Sequence, residues 1–119
     1  MKRLFSGITV GNLELKNRIV LLSMQLGYAE GGFATDAFIR FYEERARGGA
    51  GLLIAGGAHV HPHGTGGVNF LAVDDDKYIP DLKKLTEAIR SAGSKSCLQL
   101  LHSGRYAFSI LTGEQPVSA

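Results

Sequence analysis

Gly51-Leu52-Leu53-Ile54-Ala55-Gly56-Gly57-Ala58 decides the fold of this 119-residue chain. Apolar residues run from Leu52 to Ala55 without polar alternation, so the segment reads as a strand buried on both faces, and such strands belong to parallel sheets. We place the strand at 50–56, with Gly56-Gly57 ending it and opening the backbone to close approach.

Upstream, Phe38, Phe41, Tyr42 and Ala46 fall on one side of a helix expected over 36–47. Thr35 or Asp36 caps its start, Gly48-Gly49 supply a left-handed exit, and Arg40/Glu44 and Glu43/Arg47 are spaced for i,i+4 pairing. Before it, the apolar run from Arg18 to Leu22 predicts another buried strand, placed at 18–24. Ile8-Thr9-Val10 and Leu13-Glu14-Leu15 flank Gly11-Asn12 and predict a hairpin over 8–15. Downstream, a long polar and glycine-rich loop runs from His59 to Lys77. Pro80 then opens a helix over 80–92, with a stripe of Ile79, Leu82, Leu85, Ile89 and Ala92 stopped by Gly93. A third strand follows at 96–101. The order hairpin, β, α, β, α, β predicts an α/β fold of parallel strands joined by covering helices.

A chain of 119 residues buries one modest core, hence one domain or a piece of one over 1–119. The net charge of +2, with signs interleaved, gives no reason to expect nucleic acid as a partner. No apolar stretch approaches the ~20 residues of a membrane span, and Met1-Lys2-Arg3-Leu4-Phe5 lacks a secretory apolar region. Cys97 is the single cysteine, so no intramolecular disulfide forms. It reads as a small buried hydrophobe in a soluble, cytoplasmic protein.

In parallel α/β folds, ligands sit beyond the carboxyl ends of the strands. Those ends read Leu22-Ser23-Met24-Gln25, Ala55-Gly56-Gly57-Ala58 and Leu98-Gln99-Leu100-Leu101-His102. Taken singly, Met24 reads as core filler, Gly56-Gly57 as a turn and Gln99 as a partner for backbone. Their coincidence on one rim favours a binding site. Gln99 must satisfy one acceptor oxygen and two N–H donors, and a flat heterocycle with a mixed donor and acceptor edge does so.

His59, His61 and His63 alternate, and in an extended segment two imidazoles of a His-x-His pair meet one metal, as in zinc-dependent barrel hydrolases. Against this, Pro62 and Gly64 break the strand and no carboxylate or cysteine stands nearby at ligand spacing. A solvent-exposed loop is the plainer reading. Asp74-Asp75-Asp76 reads as a solvated stretch that favours the start of the following helix.

Several of these segments carry a resemblance. Phe5 with Gly11-Asn12-Leu13-Glu14-Leu15-Lys16-Asn17-Arg18-Ile19-Val20 resembles the opening of the Old Yellow Enzyme family of FMN-dependent ene reductases. Phe41-Tyr42-Glu43-Glu44-Arg45-Ala46-Arg47-Gly48-Gly49 and Leu98-Gln99-Leu100-Leu101-His102-Ser103-Gly104-Arg105-Tyr106 extend the resemblance over essentially the whole chain. Within the family the pattern is most similar to bacterial 2,4-dienoyl-CoA reductases. The chain departs from it at Leu21-Leu22-Ser23, where many members have a proline before the methionine, and at Gln25, where Thr, Cys or His is common.

The resemblance implies the N-terminal portion of a TIM (β/α)8 barrel, with three of its eight strands present. It implies FMN as cofactor, NAD(P)H as reductant and a small-molecule alkene as substrate, with hydride passing to the flavin and on to the alkene. Ser23, Met24 and Gln25 would lie along the flavin ring, Gly57 would let backbone approach it, and Gln99 would bond the pyrimidine edge. His102 and Arg105 would line or brace the site. No catalytic residue falls in these 119 residues, because the family's tyrosine and histidines lie further along. A 4Fe-4S cluster and FAD are expected in a C-terminal part. The partner expected for this segment is the remainder of the barrel, or a chain supplying it, and the segment alone is expected to be inactive. A truncated, non-catalytic chain that completes a barrel with a partner is the alternative.

Overall fold

The computed structural model describes residues 3–118, so Met1, Lys2 and Ala119 at the ends of the segments read above lie outside the described residues. The elements, numbered in chain order, are β1 (Ile8–Val10), β2 (Leu13–Leu15), β3 (Val20–Leu21), β4 (Ala29–Glu30), β5 (Phe33–Ala34), α1 (Asp36–Arg47), β6 (Leu52–His59), β7 (Leu71–Ala72), α2 (Ile79–Ser91), β8 (Lys95–Leu101) and α3 (Ser109–Thr112). Strands β3 and β8 flank β6, all parallel, with Val20 beside Leu52 and Lys95 beside the same residue on the other side.

One face of this sheet carries the core. Leu53, Ala55 and Ala58 of β6 pack against Phe38, Tyr42 and Ala46 of α1 and Leu85 and Ile89 of α2. Thr35 caps α1, its Oγ accepting from the Phe38 N–H at 3.3 Å, and Asp36 begins the helix. Asn17 ties the opening hairpin to the sheet: its amide donates to the Gly49 carbonyl at 2.7 Å and its Oδ1 accepts from the Ile19 N–H at 3.0 Å. Gly51 is a glycine for the same reason, since a Cβ there would stand 2.7 Å from two Asn17 oxygens.

The structure corrects several expectations. The strand expected at 18–24 pairs only at Val20–Leu21, because further along β7 takes the place beside Ala58 and His59. The strand expected at 50–56 covers Leu52–His59: Gly56-Gly57 do not end it, and a register shift between Gly56 and Ala58 absorbs the extra residue. The third strand starts at Lys95 rather than 96, and α2 spans Ile79–Ser91 rather than 80–92, with Ala92 as its C-cap. The stretch from His59 to Lys77 holds β7 and two short 3-10 helices, Pro62–Gly64 and Asp76–Tyr78. The hairpin β4–β5 turns on Gly31 and Gly32, both at positive φ. Glu43 pairs with Arg47 at 2.6 Å, whereas Glu44 lies 3.9 Å from Arg45 rather than against Arg40. Cys97 is exposed, because it alternates onto the sheet face that neither helix covers.

Candidate functional site

Because β3, β6 and β8 are parallel neighbours, their carboxyl ends share one rim. Ser23, Met24 and Gln25 follow β3 on one flank of β6. On the other flank Gln99 stands in register with Gly56. Met24 is exposed at this rim.

Ser23 Oγ is buried and has no hydrogen-bond partner. Leaving such a hydroxyl unpaired costs about 1–3 kcal/mol, so the position suits a ligand atom that bonds it. Gln25 donates from Nε2 to the Asn69 carbonyl at 3.1 Å. Asn69 holds a left-handed φ of 59° in the loop between β6 and β7. One N–H and the oxygen of Gln25 remain available. Gln99 is exposed on β8, its amide free of protein partners among the described residues. Asn69 escaped the sequence reading, although an asparagine after Gly66-Gly67 is a signal for this backbone conformation.

Gly57 is also required by the sheet itself. A Cβ there would meet the Leu101 side chain at 2.9 Å, so the missing side chain makes room for the neighbouring strand. Gly56 has φ +113°, and its Cβ would stand 2.8 Å from the Gln99 carbonyl. The pair lets β6 carry its register shift against β8.

His102 braces the loop over this rim. Its Nδ1 accepts from the Gly104 N–H at 3.0 Å, and Gly64 packs so closely that a Cβ would lie 2.6 Å from the imidazole. Arg105 is held by its neighbour, Nη2 donating to the Tyr106 hydroxyl at 3.0 Å.

The three alternating histidines do not converge on one point. Among the described residues no group of three His, Cys, Asp or Glu side chains is placed to hold a metal. His61 and His63 meet edge to face across the turn at Pro62–Gly64, ring centroids 4.7 Å apart, with His63 Nδ1 3.0 Å from Glu114, whereas His59 points away from them, its Nδ1 buried 3.7 Å from Asp74 Oδ1. His59 is therefore no solvent-exposed loop residue, and the Asp74 carboxylate turns toward it while Asp75 and Asp76 stay exposed. Asp75 does the capping, accepting from the Lys77 N–H at 2.9 Å.

Behind the rim, Tyr42 is fully buried and its hydroxyl has no partner, the nearby Gly56 backbone lying outside bonding geometry. Burial pushes the phenol pKa up, offset in part by the Gly56 backbone and the Arg45 charge. A groove of about 430 Å³ lies at the opposite end of the strands, lined by Glu14, Lys16, Arg90, Ser94 and Lys95. In barrels that end serves stability rather than chemistry.

The orphaned Ser23 hydroxyl and the unspent amide groups of Gln25 and Gln99 fit a planar ligand with several donors and acceptors along its edge. The model of the NADH:flavin oxidoreductase / NADH oxidase family matches residues 3–119. A metal reductase of Desulforamulus reducens is 44% identical over 118 residues, covering 99% of this chain and 18% of its own length. Among solved structures, a 2-naphthoyl-CoA reductase in complex with 2-naphthoyl-CoA superposes with a TM-score of 0.90 at 31% identity, over 95% of this chain and 17% of that one. An old yellow enzyme homologue from Zymomonas mobilis does so with a TM-score of 0.89 at 29% identity, over 97% of this chain and 32% of that one. The chain thus spans about a fifth to a third of the proteins it matches. With the family model running nearly end to end and the parallel strands superposing on Old Yellow Enzyme barrels, the chain belongs to the NADH:flavin oxidoreductase / NADH oxidase family and forms the N-terminal portion of its TIM barrel.

Proposed function

We propose that these residues are the FMN-binding N-terminal segment of an NAD(P)H-dependent ene reductase. The observation that carries this reading is the set of uncommitted polar groups on one rim: the Ser23 hydroxyl, one N–H and the oxygen of Gln25, and the Gln99 amide. In this reading Ser23 and Gln25 bond the flavin edge on the β3 side, Gln99 bonds the pyrimidine edge from β8, and Met24 lies against the ring. Gly57 contributes backbone. His102 and Arg105 brace the loops around the site. When bound, FMN supplies hydride transfer from NAD(P)H to an activated C=C bond. A CoA thioester such as a 2,4-dienoyl-CoA is the substrate class we favour, in keeping with the naphthoyl-CoA ligand of the superposing reductase.

Five further strands are needed to close a barrel around the three parallel strands β3, β6 and β8. We therefore assign turnover to the assembled barrel, followed by a part bearing a 4Fe-4S cluster and FAD, in a cytoplasmic protein. No helix among the described residues is long and apolar enough to cross a membrane.

Visible absorbance tests this reading. The chain purified alone is expected to be colourless, and the chain co-expressed with the remainder of a family barrel to carry one FMN. Gln99→Leu in that assembly is expected to weaken FMN binding about tenfold, the worth of a pair of lost hydrogen bonds. A folded, colourless assembly refutes the FMN reading; a yellow chain on its own refutes the need for the rest of the barrel.

A further inference from the structure

The rim holds one polar pair to which the flavin gives no role. The side chains of His59, the last residue of β6, and Asp74, two residues past β7, are only 12% and 16% exposed. They come from segments that the backbone already joins: Ala58 and His59 stand in register with Leu71 and Ala72, and the Val73 N–H donates to the His59 carbonyl at 3.0 Å. The pair is therefore not needed to dock β7. Nor is it a finished hydrogen bond. His59 Nδ1 lies 3.7 Å from Asp74 Oδ1 and has no partner, a costly state for a buried nitrogen.

The register shift of β6 decides where this histidine points. Leu53 and Ala55 face the helices, so strict alternation would send residues 57 and 59 to the same covered face. The extra residue between Gly56 and Ala58 reverses the phase: Ala58 enters the core, and His59 turns to the face that neither helix covers. Its register neighbour there is Leu101, two residues beyond Gln99 on the same face of β8. His59 thus shares a face with the Gln99 amide and stands one step nearer the carboxyl ends of the strands. Of its two nitrogens, Nδ1 is closed off beside Asp74, while Nε2 makes no hydrogen bond among the described residues and stays open to solvent.

We propose that His59 is a substrate-contacting residue, aimed by the register shift of β6 and oriented by Asp74, whose Nε2–H donates to an acyl oxygen of an unsaturated carboxylate or thioester. The protonation follows from the donors and acceptors. A carboxylate only accepts, so the Nδ1 proton faces Asp74; an acyl oxygen only accepts, so it calls for a second proton on Nε2. Held between the two, the ring carries one positive charge, and Asp74 balances it. No other carboxylate lies within 4.0 Å of His59 among the described residues. Its register neighbours Ala72 and Leu101 do not titrate, His102 packs on Gly64, and His61 turns to His63. The choice of ligand rests on the ene-reductase reading; the placement of His59 does not.

Nitrogen NMR of the imidazoles tests the contact on the chain co-expressed with the remainder of a family barrel, with 2,4-hexadienoate as the probe. Saturating probe is expected to shift the His59 Nε2 resonance and to leave both ring nitrogens protonated. His59→Ala is expected to raise the dissociation constant of the probe about tenfold, as loss of a charge-assisted hydrogen bond would, with one FMN per assembly retained. His59→Gln, which keeps an N–H near the place of Nε2–H, is expected to stay within about threefold of the native value. Asp74→Ala is expected to weaken probe binding about fivefold in the native background and not at all in His59→Ala, because its effect passes through the imidazole. A His59 resonance unmoved by saturating probe overturns the proposal, as does a folded His59→Ala assembly that binds the probe as tightly as before. A yellow assembly that takes up no enoate overturns it too. Should His59→Ala fail to fold, the resonance in the native assembly decides alone. A His59 that answers the probe in a colourless assembly sinks the FMN reading alone; a yellow assembly whose His59 ignores the bound probe sinks this contact alone.

Discussion

At the scale of single residues, Tyr42 and Gly57 make opposite demands on the same strand. The Tyr42 hydroxyl is buried without a partner, so Tyr42→Phe is expected to be neutral or mildly stabilising at pH 7. Burial, the first cause, raises the folded-state pKa above the ordinary value of 10.0, so the unfolded chain releases this proton first as pH rises. Stability contributed by the neutral phenol is present below pH 10 and lost as pH climbs through the folded value. Urea midpoints at pH 9 and pH 11 are expected to fall more for the native chain than for Tyr42→Phe. Gly57→Ala places a methyl 2.9 Å from Leu101 Cβ and is expected to cost about 1–3 kcal/mol, a loss that shrinks when Leu101 is replaced by glycine, which removes that Cβ. A cycle of denaturation curves across the two substitutions measures that coupling.

At the scale of elements, α1 is held at its start by Thr35, which also donates to the Tyr28 carbonyl and so ties the β4–β5 hairpin to the helix. Thr35→Ala is expected to cost about 1 kcal/mol in urea denaturation. The Glu43–Arg47 pair on the same helix is exposed, and its removal is expected to change stability by less than half as much. Leu53 is the anchor of β6, fully buried between α1 and α2. Leu53→Ala is expected to cost about 2–5 kcal/mol. Because β3, β7 and β8 pair in this parallel sheet only with β6, that substitution should loosen β3 and β8 together, read as loss of exchange protection at both Leu21 and Cys97.

At the scale of the whole molecule, the open sheet explains why the candidate site is assembled and yet unenclosed. Its polar groups already share a rim, but the concave face behind them is bare, and water there competes for each hydrogen bond to a ligand. The isolated chain is accordingly expected to bind FMN at least a hundredfold more weakly than the assembled barrel, measured by quenching of flavin fluorescence.

Periodicity alone determined the order of β3, β6 and β8 and of the helices α1 and α2 between them, because an apolar run such as Leu52–Ala55 or a stripe such as Phe38, Tyr42 and Ala46 reflects burial that any parallel α/β packing imposes, whereas the two-residue strands β4, β5 and β7 are too short to show a period. Local chemistry likewise marked the cap at Thr35 and the stop before Gly93. Which residues share the rim was also legible, since strand direction follows from the intervening helices. Partnership was not. That Gly57 yields to Leu101, that Asn69 holds Gln25, that His59 turns inward to Asp74 and that Cys97 faces outward all depend on contacts between segments far apart in the chain. Such contacts are set by the register of β6 against β8 and by the fold of the loop between β6 and β7, and no local pattern encodes a register that two strands fix only when they meet.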